Sequence, residues 1–178
     1  FLENNLDHLV PFKHDKIDEW RDSLHAGLSA RYKKSNIILK GGIDDIWQDT
    51  ITKKIIIVDY KSQAKKGRIS SSNYLSDPFH EGYKVQMDFY SYLLKQMGFD
   101  VDKTSYFLVC NANRERNDFN KVMHFDEYLI PYQWNTEWVE DKIDEMISVM
   151  NSYEIPTANP CCRNCAYSEQ FSKITKRC

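Results

Sequence analysis

The sequence predicts an α/β fold built around one mixed sheet, and three observations carry this prediction. An uninterrupted apolar run at residues 55–58 is typical of a central strand that is covered on both faces. A short polar stretch just before it joins two strand-like runs, which indicates an antiparallel hairpin. A long apolar helical segment at residues 80–97 then leads to another strand, which is the order of a crossover connection.

The first segment is predicted to be a helix over residues 15–33. Five apolar side chains recur there at helical spacing: Ile17, Trp20, Leu24, Leu28 and Tyr32. Residues 36–40 then form a β-rich run that ends at two glycines.

The strands of the hairpin are predicted at residues 43–48 and 55–60, and residues 62–78 are predicted to be a long loop. The helix at residues 80–97 is expected to stop at Gly98. Further strands are predicted at residues 104–110 and 123–130, before a last helix at residues 135–153.

Size and composition limit the class of protein. The 178 residues suffice for one domain with a real core, and 42% hydrophobic with 28% charged residues is ordinary for a globular chain. The net charge of −2 gives no global attraction to nucleic acid. No apolar run reaches the length of a membrane span, and there is no signal-peptide pattern, P-loop, GxSxG or HExxH motif.

The five cysteines are an odd number without a secretory context, which argues against a disulfide framework and for a reducing, cytoplasmic setting. Cys110 lies in a predicted strand and is expected to be a small buried apolar residue. The other four lie close to the end of the sequence: Cys161, Cys162, Cys165 and Cys178. Cys162-x-x-Cys165 has the spacing of half a metal site.

Two acidic motifs lie one hairpin apart. If the strands pair around a turn centred between residues 51 and 52, Asp44 faces Asp59 on the same side of the sheet. Lys61 lies two residues further on and joins them on that side. Two carboxylates so close repel each other unless a cation lies between them, and a hard divalent ion such as Mg²⁺ suits oxygen ligands. A lysine beside such an ion is suited to chemistry on a phosphate.

The neighbours of these residues are predicted to have other roles. Asp45 must point to the opposite face of the strand, where we expect it to be structural or solvated, although a slip of one residue in register would exchange it with Asp44. Gly42 falls opposite Lys61 and is expected to leave room beside that lysine.

Three motifs in this order resemble the PD-(D/E)XK nuclease superfamily, most closely its branch containing the RecB nuclease domain and the CRISPR adaptation exonucleases. The motifs are Gly41-Gly42-Ile43-Asp44, Asp59-Tyr60-Lys61, and the pair Gln86 and Tyr90. The resemblance covers about residues 36–110. It implies a restriction-endonuclease-like αβββαβ core, with a central mixed sheet flanked by helices.

The resemblance also implies roles for these residues. Asp44 and Asp59 would bind Mg²⁺ or Mn²⁺ with the Tyr60 carbonyl as a third ligand, and all three of Asp44, Asp59 and Lys61 would be catalytic. Lys61 would orient the attacking water. Gln86 and Tyr90 share a helix face and would support the site or touch the nucleic-acid backbone. Apart from the resemblance, the basic cluster after the second motif is expected either to bind nucleic acid or to be a solvated charged surface: Lys65, Lys66 and Arg68.

The implied function is that of a metal-dependent deoxyribonuclease, acting as an exonuclease or an endonuclease in DNA repair, recombination or defence. Its expected partners are DNA and a helicase or other repair proteins. The alternative is a non-catalytic, nuclease-like DNA-binding or scaffold module of a larger repair complex. The chain begins at Phe1 rather than Met, which is consistent with a fragment of a longer protein.

Residues 1–158 are predicted to be the nuclease-like domain, and residues 159–178 a cysteine-containing tail that packs on it. Some members of the branch bind an iron–sulfur cluster through one N-terminal and three C-terminal cysteines. Three interpretations of the tail therefore stay open: a cluster completed by a segment before Phe1, a local Zn²⁺ site, or no metal. Relatives often add a ligand from the first helix, for which the candidates are Glu19, Asp22 and His25.

Overall fold

A computed structural model describes residues 6–115 and 121–175 of the chain. It divides into two compact units, Phe1–Val139 and Glu140–Cys178, which are described separately. The predicted fold class is confirmed, because the first unit is an α/β structure with a central mixed sheet flanked by helices.

The main sheet has five strands in the order β1-β4-β5-β6-β7, and β2 and β3 form a separate two-stranded sheet. In the main sheet β5 and β6 are parallel, whereas the other neighbouring strands are antiparallel. The strands are β1 (Leu9–Pro11), β2 (Leu28–Arg31), β3 (Ile38–Gly41), β4 (Asp45–Asp49), β5 (Ile55–Gln63), β6 (Thr104–Ala112) and β7 (Phe125–Gln133). The apolar run at residues 55–58 is fully buried in the central strand, as predicted.

The helices of the first unit pack on one face of this sheet. The crossover from β5 to β6 is made by α3, which buries Met87, Leu93 and Leu94 in the same cluster as Ile57 of β5. Gly98 follows α3 with a φ of 91°, which confirms it as the helix stop. The helices and the one 3₁₀ turn among the described residues are α1 (Ile17–Arg21), α2 (Ser71–Leu75), the 3₁₀ turn (Pro78–His80), α3 (Glu81–Gln96), α4 (Val139–Met150) and α5 (Arg163–Thr175).

The predicted helix at residues 15–33 is wrong beyond its first turns. It stops at Arg21, and Leu28–Arg31 instead pairs with Ile38–Gly41 as a hairpin. Gly27 adopts a φ of 83° and lies so close to Gly41 that a Cβ there would be 2.8 Å from the Gly41 carbonyl oxygen. This strand pairing overrides the helical spacing of the apolar side chains, and Leu24 is left 88% exposed.

The predicted loop at residues 62–78 is also partly wrong, because β5 continues to Gln63 and α2 interrupts the loop. A reciprocal capping box starts α2. The Ser70 hydroxyl accepts the Asn73 N–H at 3.3 Å, and the Asn73 side-chain oxygen accepts the Ser70 N–H at 3.0 Å.

The second unit contains α5 and all of α4 except the first residue of that helix. The predicted helix at residues 135–153 is present but shorter, at Val139–Met150. The last helix, Arg163–Thr175, was not predicted. No helix within residues 6–115 and 121–175 is long and apolar enough to cross a membrane.

Candidate active site

The register of the β4–β5 hairpin places the two motif aspartates opposite each other. Asp45 pairs with Val58 and Ile46 with Ile57, which is the predicted register, and one further step brings Asp44 opposite Asp59. Asp59 lies on the same sheet face as Ile57, which is the face covered by α3.

Asp59 is a buried carboxylate with few partners. It is 1% exposed, and among the described residues no main-chain N–H, hydroxyl or amide group donates to either of its oxygens. Its one ionic partner there is the Lys61 ammonium, which lies against Oδ2. Burial raises the pKa of Asp59, Lys61 opposes this rise, and the negative charge of Asp44 adds to it.

Asp44 lies at an open edge of β5. Its Oδ2 accepts the backbone N–H of Tyr60 at 2.7 Å, at the position where β4 has ended. The N–H and C=O of a strand residue point to the same edge, so the Tyr60 carbonyl also faces this space. The carboxylates of Asp44 and Asp59 therefore lie close together, on the side of β5 to which the Tyr60 carbonyl points.

This donor set fits a hard divalent cation. It contains only oxygen atoms, and a cation between Asp44 and Asp59 would relieve their repulsion and the part of the burial cost of Asp59 that Lys61 does not offset. In the described part of the chain no group of three or more His, Cys, Asp or Glu side chains could hold a metal. The expected extra ligand from Glu19, Asp22 or His25 therefore does not complete such a group, and His25 Nδ1 lies 3.0 Å from Asp22 Oδ1.

Lys61 is held by neutral partners on α3. Its ammonium donates to Gln86 Oε1 at 3.4 Å and lies 4.6 Å from the centroid of the Tyr83 ring. Gln86 Nε2 in turn donates to the Tyr90 hydroxyl at 2.6 Å. Gln86 and Tyr90 thus belong to the immediate surroundings of Lys61.

The first and third motifs contact each other through a glycine. A Cβ at Gly41 would lie 2.8 Å from the Tyr90 ring, so the ring occupies space that another residue would fill. The expectation for Gly42 is wrong: a Cβ there would lie 2.2 Å from the Ser23 Cβ, so its missing side chain accommodates Ser23 and not Lys61.

Asp45 points to the opposite face of the hairpin, as predicted. The Arg21 guanidinium donates to its Oδ1, and the Tyr60 hydroxyl donates to its Oδ2 at 2.6 Å. The Ile46 N–H is a third donor at 2.9 Å. Burial and the hydrogen bond to Asp45 raise the pKa of the Tyr60 phenol.

Aromatic rings that the sequence did not single out enclose the Asp59 side of the site. Phe107 is the neighbour of Asp59 on β6, and the Tyr74 ring packs on it with centroids 5.7 Å apart. His80 packs between Tyr74 at 4.1 Å and Tyr83 at 5.2 Å. The Tyr74 hydroxyl is buried with no hydrogen-bond partner among the described residues.

The basic residues after Lys61 lie in the connection from β5 to α2. Lys65 Nζ lies 3.0 Å from Asp77 Oδ2, and Lys66 and Arg68 are exposed. All three line a cavity of about 310 Å³ that Arg114 also lines.

The tail cysteines lie at the start of α5. The Cys165 N–H donates to Cys162 Sγ at 3.2 Å, and a side-chain hydrogen bond from Cys165 lowers the pKa of the Cys162 thiol. Cys161 is exposed, and Cys178 lies outside the described residues. Cys110, expected to be buried, is half-buried on β6.

Comparison with known protein families identifies the superfamily of the chain. A family model for the PD-(D/E)XK nuclease superfamily matches residues 4–170. No curated protein and no solved structure matches the chain.

Proposed function

Because the chain belongs to the PD-(D/E)XK nuclease superfamily, we propose that it hydrolyses phosphodiester bonds of DNA with Mg²⁺ or Mn²⁺. Asp44, Asp59 and the Tyr60 carbonyl would hold the ion. The observation that carries this proposal is the buried Asp59 carboxylate, which lies beside Asp44 and which, among the described residues, the Lys61 ammonium contacts but no main-chain N–H, hydroxyl or amide donor does.

The energetics favour a cation at this position. A buried carboxylate is normally stabilised by several hydrogen bonds, because taking an ion out of water costs on the order of several kcal/mol. The ammonium of Lys61 compensates only in part, since the pKa of Asp59 stays raised. A divalent ion with its water ligands would complete the compensation.

The residues of the chain supply the rest of the chemistry. A divalent ion, when bound, supplies a Lewis acid and a water of lowered pKa. Lys61 carries a fixed positive charge next to Asp59, where it can orient the attacking water and offset charge developing on the phosphate. Gln86 and the Tyr83 ring fix the position of that ammonium, which reduces the reorganisation needed during reaction.

The basic side chains that follow Lys61 indicate how a DNA strand would be bound. Lys66 and Arg68 are exposed and would contact phosphates, whereas Lys65 is already paired with Asp77.

We place the protein in the RecB-like branch, in the cytoplasm, working with a helicase or other repair proteins. The three motifs support the branch, and the odd cysteine count supports the compartment.

The cysteine tail is proposed to bind an iron–sulfur cluster or Zn²⁺ through Cys161, Cys162, Cys165 and Cys178. The adjacent thiols of Cys162 and Cys165 support a thiolate site, since the hydrogen bond between them lowers the pKa of Cys162, although it raises the pKa of Cys165. Elemental analysis of the purified protein, with its visible spectrum, separates iron, zinc and a metal-free tail.

The test of the nuclease proposal is cleavage of single- and double-stranded DNA in Mg²⁺ or Mn²⁺. We expect cleavage by the native protein and its loss in Asp59→Ala and Lys61→Ala. Equal cleavage by all three proteins would exclude this site. Tight binding of DNA without cleavage in either metal would favour the non-catalytic module instead.

A further inference from the structure

A phenylalanine close to the proposed site is held in an exposed position. Phe79 is 89% exposed, although a phenyl ring is among the side chains that gain most from burial. Its exposure does not come from a loose backbone. The Asp77 side chain accepts the Phe79 N–H at 3.1 Å, the Asp77 carbonyl accepts the His80 N–H at 2.9 Å, and Pro78 restricts φ between them.

The next residue anchors this turn beside the active site. His80 is buried, its Nδ1 lies 2.8 Å from the Tyr74 carbonyl, and its ring stacks on Tyr83. The Tyr83 ring is the one over which the Lys61 ammonium lies. Phe79 is therefore an exposed ring that directly precedes His80, and the His80 ring belongs to the group of side chains around Lys61.

Basic residues flank the same turn. The Asp77 carboxylate that caps Phe79 also binds Lys65, and this pairing lowers the pKa of Asp77. Lys66 and Arg68 follow Lys65 on the same connection and are exposed. Rigid aromatic side chains next to a basic track are the typical means by which proteins hold single-stranded nucleic acid.

We infer that Phe79 is a stacking platform for an unpaired DNA base next to the scissile phosphate. The inference rests on the proposed nuclease function and adds the substrate class: a strand that is single-stranded at the site. A base within a duplex already has both faces covered by its neighbours. An unpaired base can offer a face to the Phe79 ring at any position along the strand, whereas a blunt duplex offers one only at its two end pairs.

The test measures binding and cleavage separately. Binding of a labelled single-stranded oligonucleotide and of the blunt duplex of the same sequence is measured in EDTA, where metal-dependent cleavage cannot occur. The variants are Phe79→Ala, Phe79→Leu and Phe79→Trp. Tyr153→Ala removes an exposed aromatic side chain of the second unit and is the matched control.

We expect Phe79→Ala and Phe79→Leu to weaken single-strand binding about 5- to 150-fold, the range for loss of one base–aromatic stack. Phe79→Trp should keep native affinity, Tyr153→Ala should bind as the native protein does, and duplex binding should change less than single-strand binding. Leu fills space without a ring face, so its loss of affinity separates stacking from simple apolar contact.

Equal single-strand affinity of Phe79→Ala and the native protein, or equal losses for single strand and duplex, would overturn the inference. So would native affinity in Phe79→Leu. Cleavage by the native protein in Mg²⁺, measured on the same oligonucleotides, tests the nuclease proposal. A native protein that cleaves, with unchanged binding in Phe79→Ala, leaves that proposal intact and removes only the stacking platform.

Discussion

Two buried aspartates of the first unit, Asp59 and Asp88, have opposite surroundings. Asp88 on α3 is 5% exposed and accepts three hydrogen bonds of 2.9 Å, from the Tyr132 hydroxyl, the Asn135 N–H and the Trp138 indole. Asp59 on β5 is 1% exposed, and among the described residues the Lys61 ammonium contacts it, whereas no main-chain N–H, hydroxyl or amide group donates to it.

The difference separates a structural carboxylate from a functional one. The Asp88 carboxylate joins α3 to the segment after β7, and every contact that it makes stabilises the folded state. The Asp59 carboxylate has a raised pKa, so its charged form destabilises the metal-free fold. Its oxygens stay available for a ligand that the protein itself does not provide.

The largest expected effect is on cleavage. Asp59→Asn keeps the size of the side chain but removes its charge, and we expect cleavage to fall on the order of 10²- to 10³-fold, the range for loss of a main electrostatic contribution at an active site. Asp88→Asn should keep the native rate per folded molecule. Rates measured in Mg²⁺ on one substrate check both, and comparable losses in the two variants would remove the distinction.

The position of Asp59 could be predicted from the sequence because a hairpin register follows from its turn. The loop at Asp49–Lys54 is short and polar, and Asp45 pairs with Val58 in the predicted register. The apolar run that starts at Ile55 also identified the central strand. Both features are local in the sequence, so no distant contact could change them.

Structural features that depend on contacts between residues far apart in the sequence were not predicted. Leu28 fits the spacing of a helix, but its strand is selected by pairing with residues near Gly41. The enclosure of Asp59 by Tyr74 and His80 depends on how residues 70–80 fold back onto β6. The exposure of Phe79 depends on the same fold, and no single-sequence pattern distinguishes an exposed ring from a buried one.

The second largest effect is on stability, where the order of the two aspartates reverses. Asp88→Asn places an amide NH₂ against at least one of three donors, and we expect it to lower the free energy of unfolding by roughly 1–3 kcal/mol. Asp59→Asn should be at least as stable as the native protein in EDTA. Urea unfolding without metal provides the measurement. A strongly destabilised Asp59→Asn would mean that Asp59 is structural too.

A smaller effect on cleavage is expected from the neutral side chain of Gln86, which contacts Lys61 beside Asp59. Gln86→Ala removes the acceptor of the Lys61 ammonium, and we expect cleavage to fall about 10- to 100-fold, the range for partners that orient a site residue. Most of the loss should be in kcat, because the charge that binds substrate is retained. Stability should change little, and a loss confined to KM would instead assign Gln86 to substrate binding.

The smallest expected effect is on the free energy of unfolding, in variants of two tyrosines that both pack on Phe107. Tyr74 has a hydroxyl without a partner among the described residues, whereas Tyr132 donates to Asp88. Tyr74→Phe should leave the free energy of unfolding unchanged or raise it by up to about 1 kcal/mol, and Tyr132→Phe should lower it by about 1–3 kcal/mol. Thermal unfolding of both variants distinguishes them, and equal destabilisation would show that the Tyr74 hydroxyl is bonded.

The most direct test of the account is calorimetric titration of Mg²⁺ into the native protein, Asp59→Asn and Asp88→Asn at several pH values. Metal binding requires the charged form of Asp59, and the raised pKa lets a proton compete at higher pH than at an exposed aspartate. We predict that the native affinity falls as the pH is lowered towards that pKa, that Asp88→Asn binds as the native protein does, and that Asp59→Asn does not bind. Equal Mg²⁺ affinity in Asp59→Asn and the native protein would contradict the account.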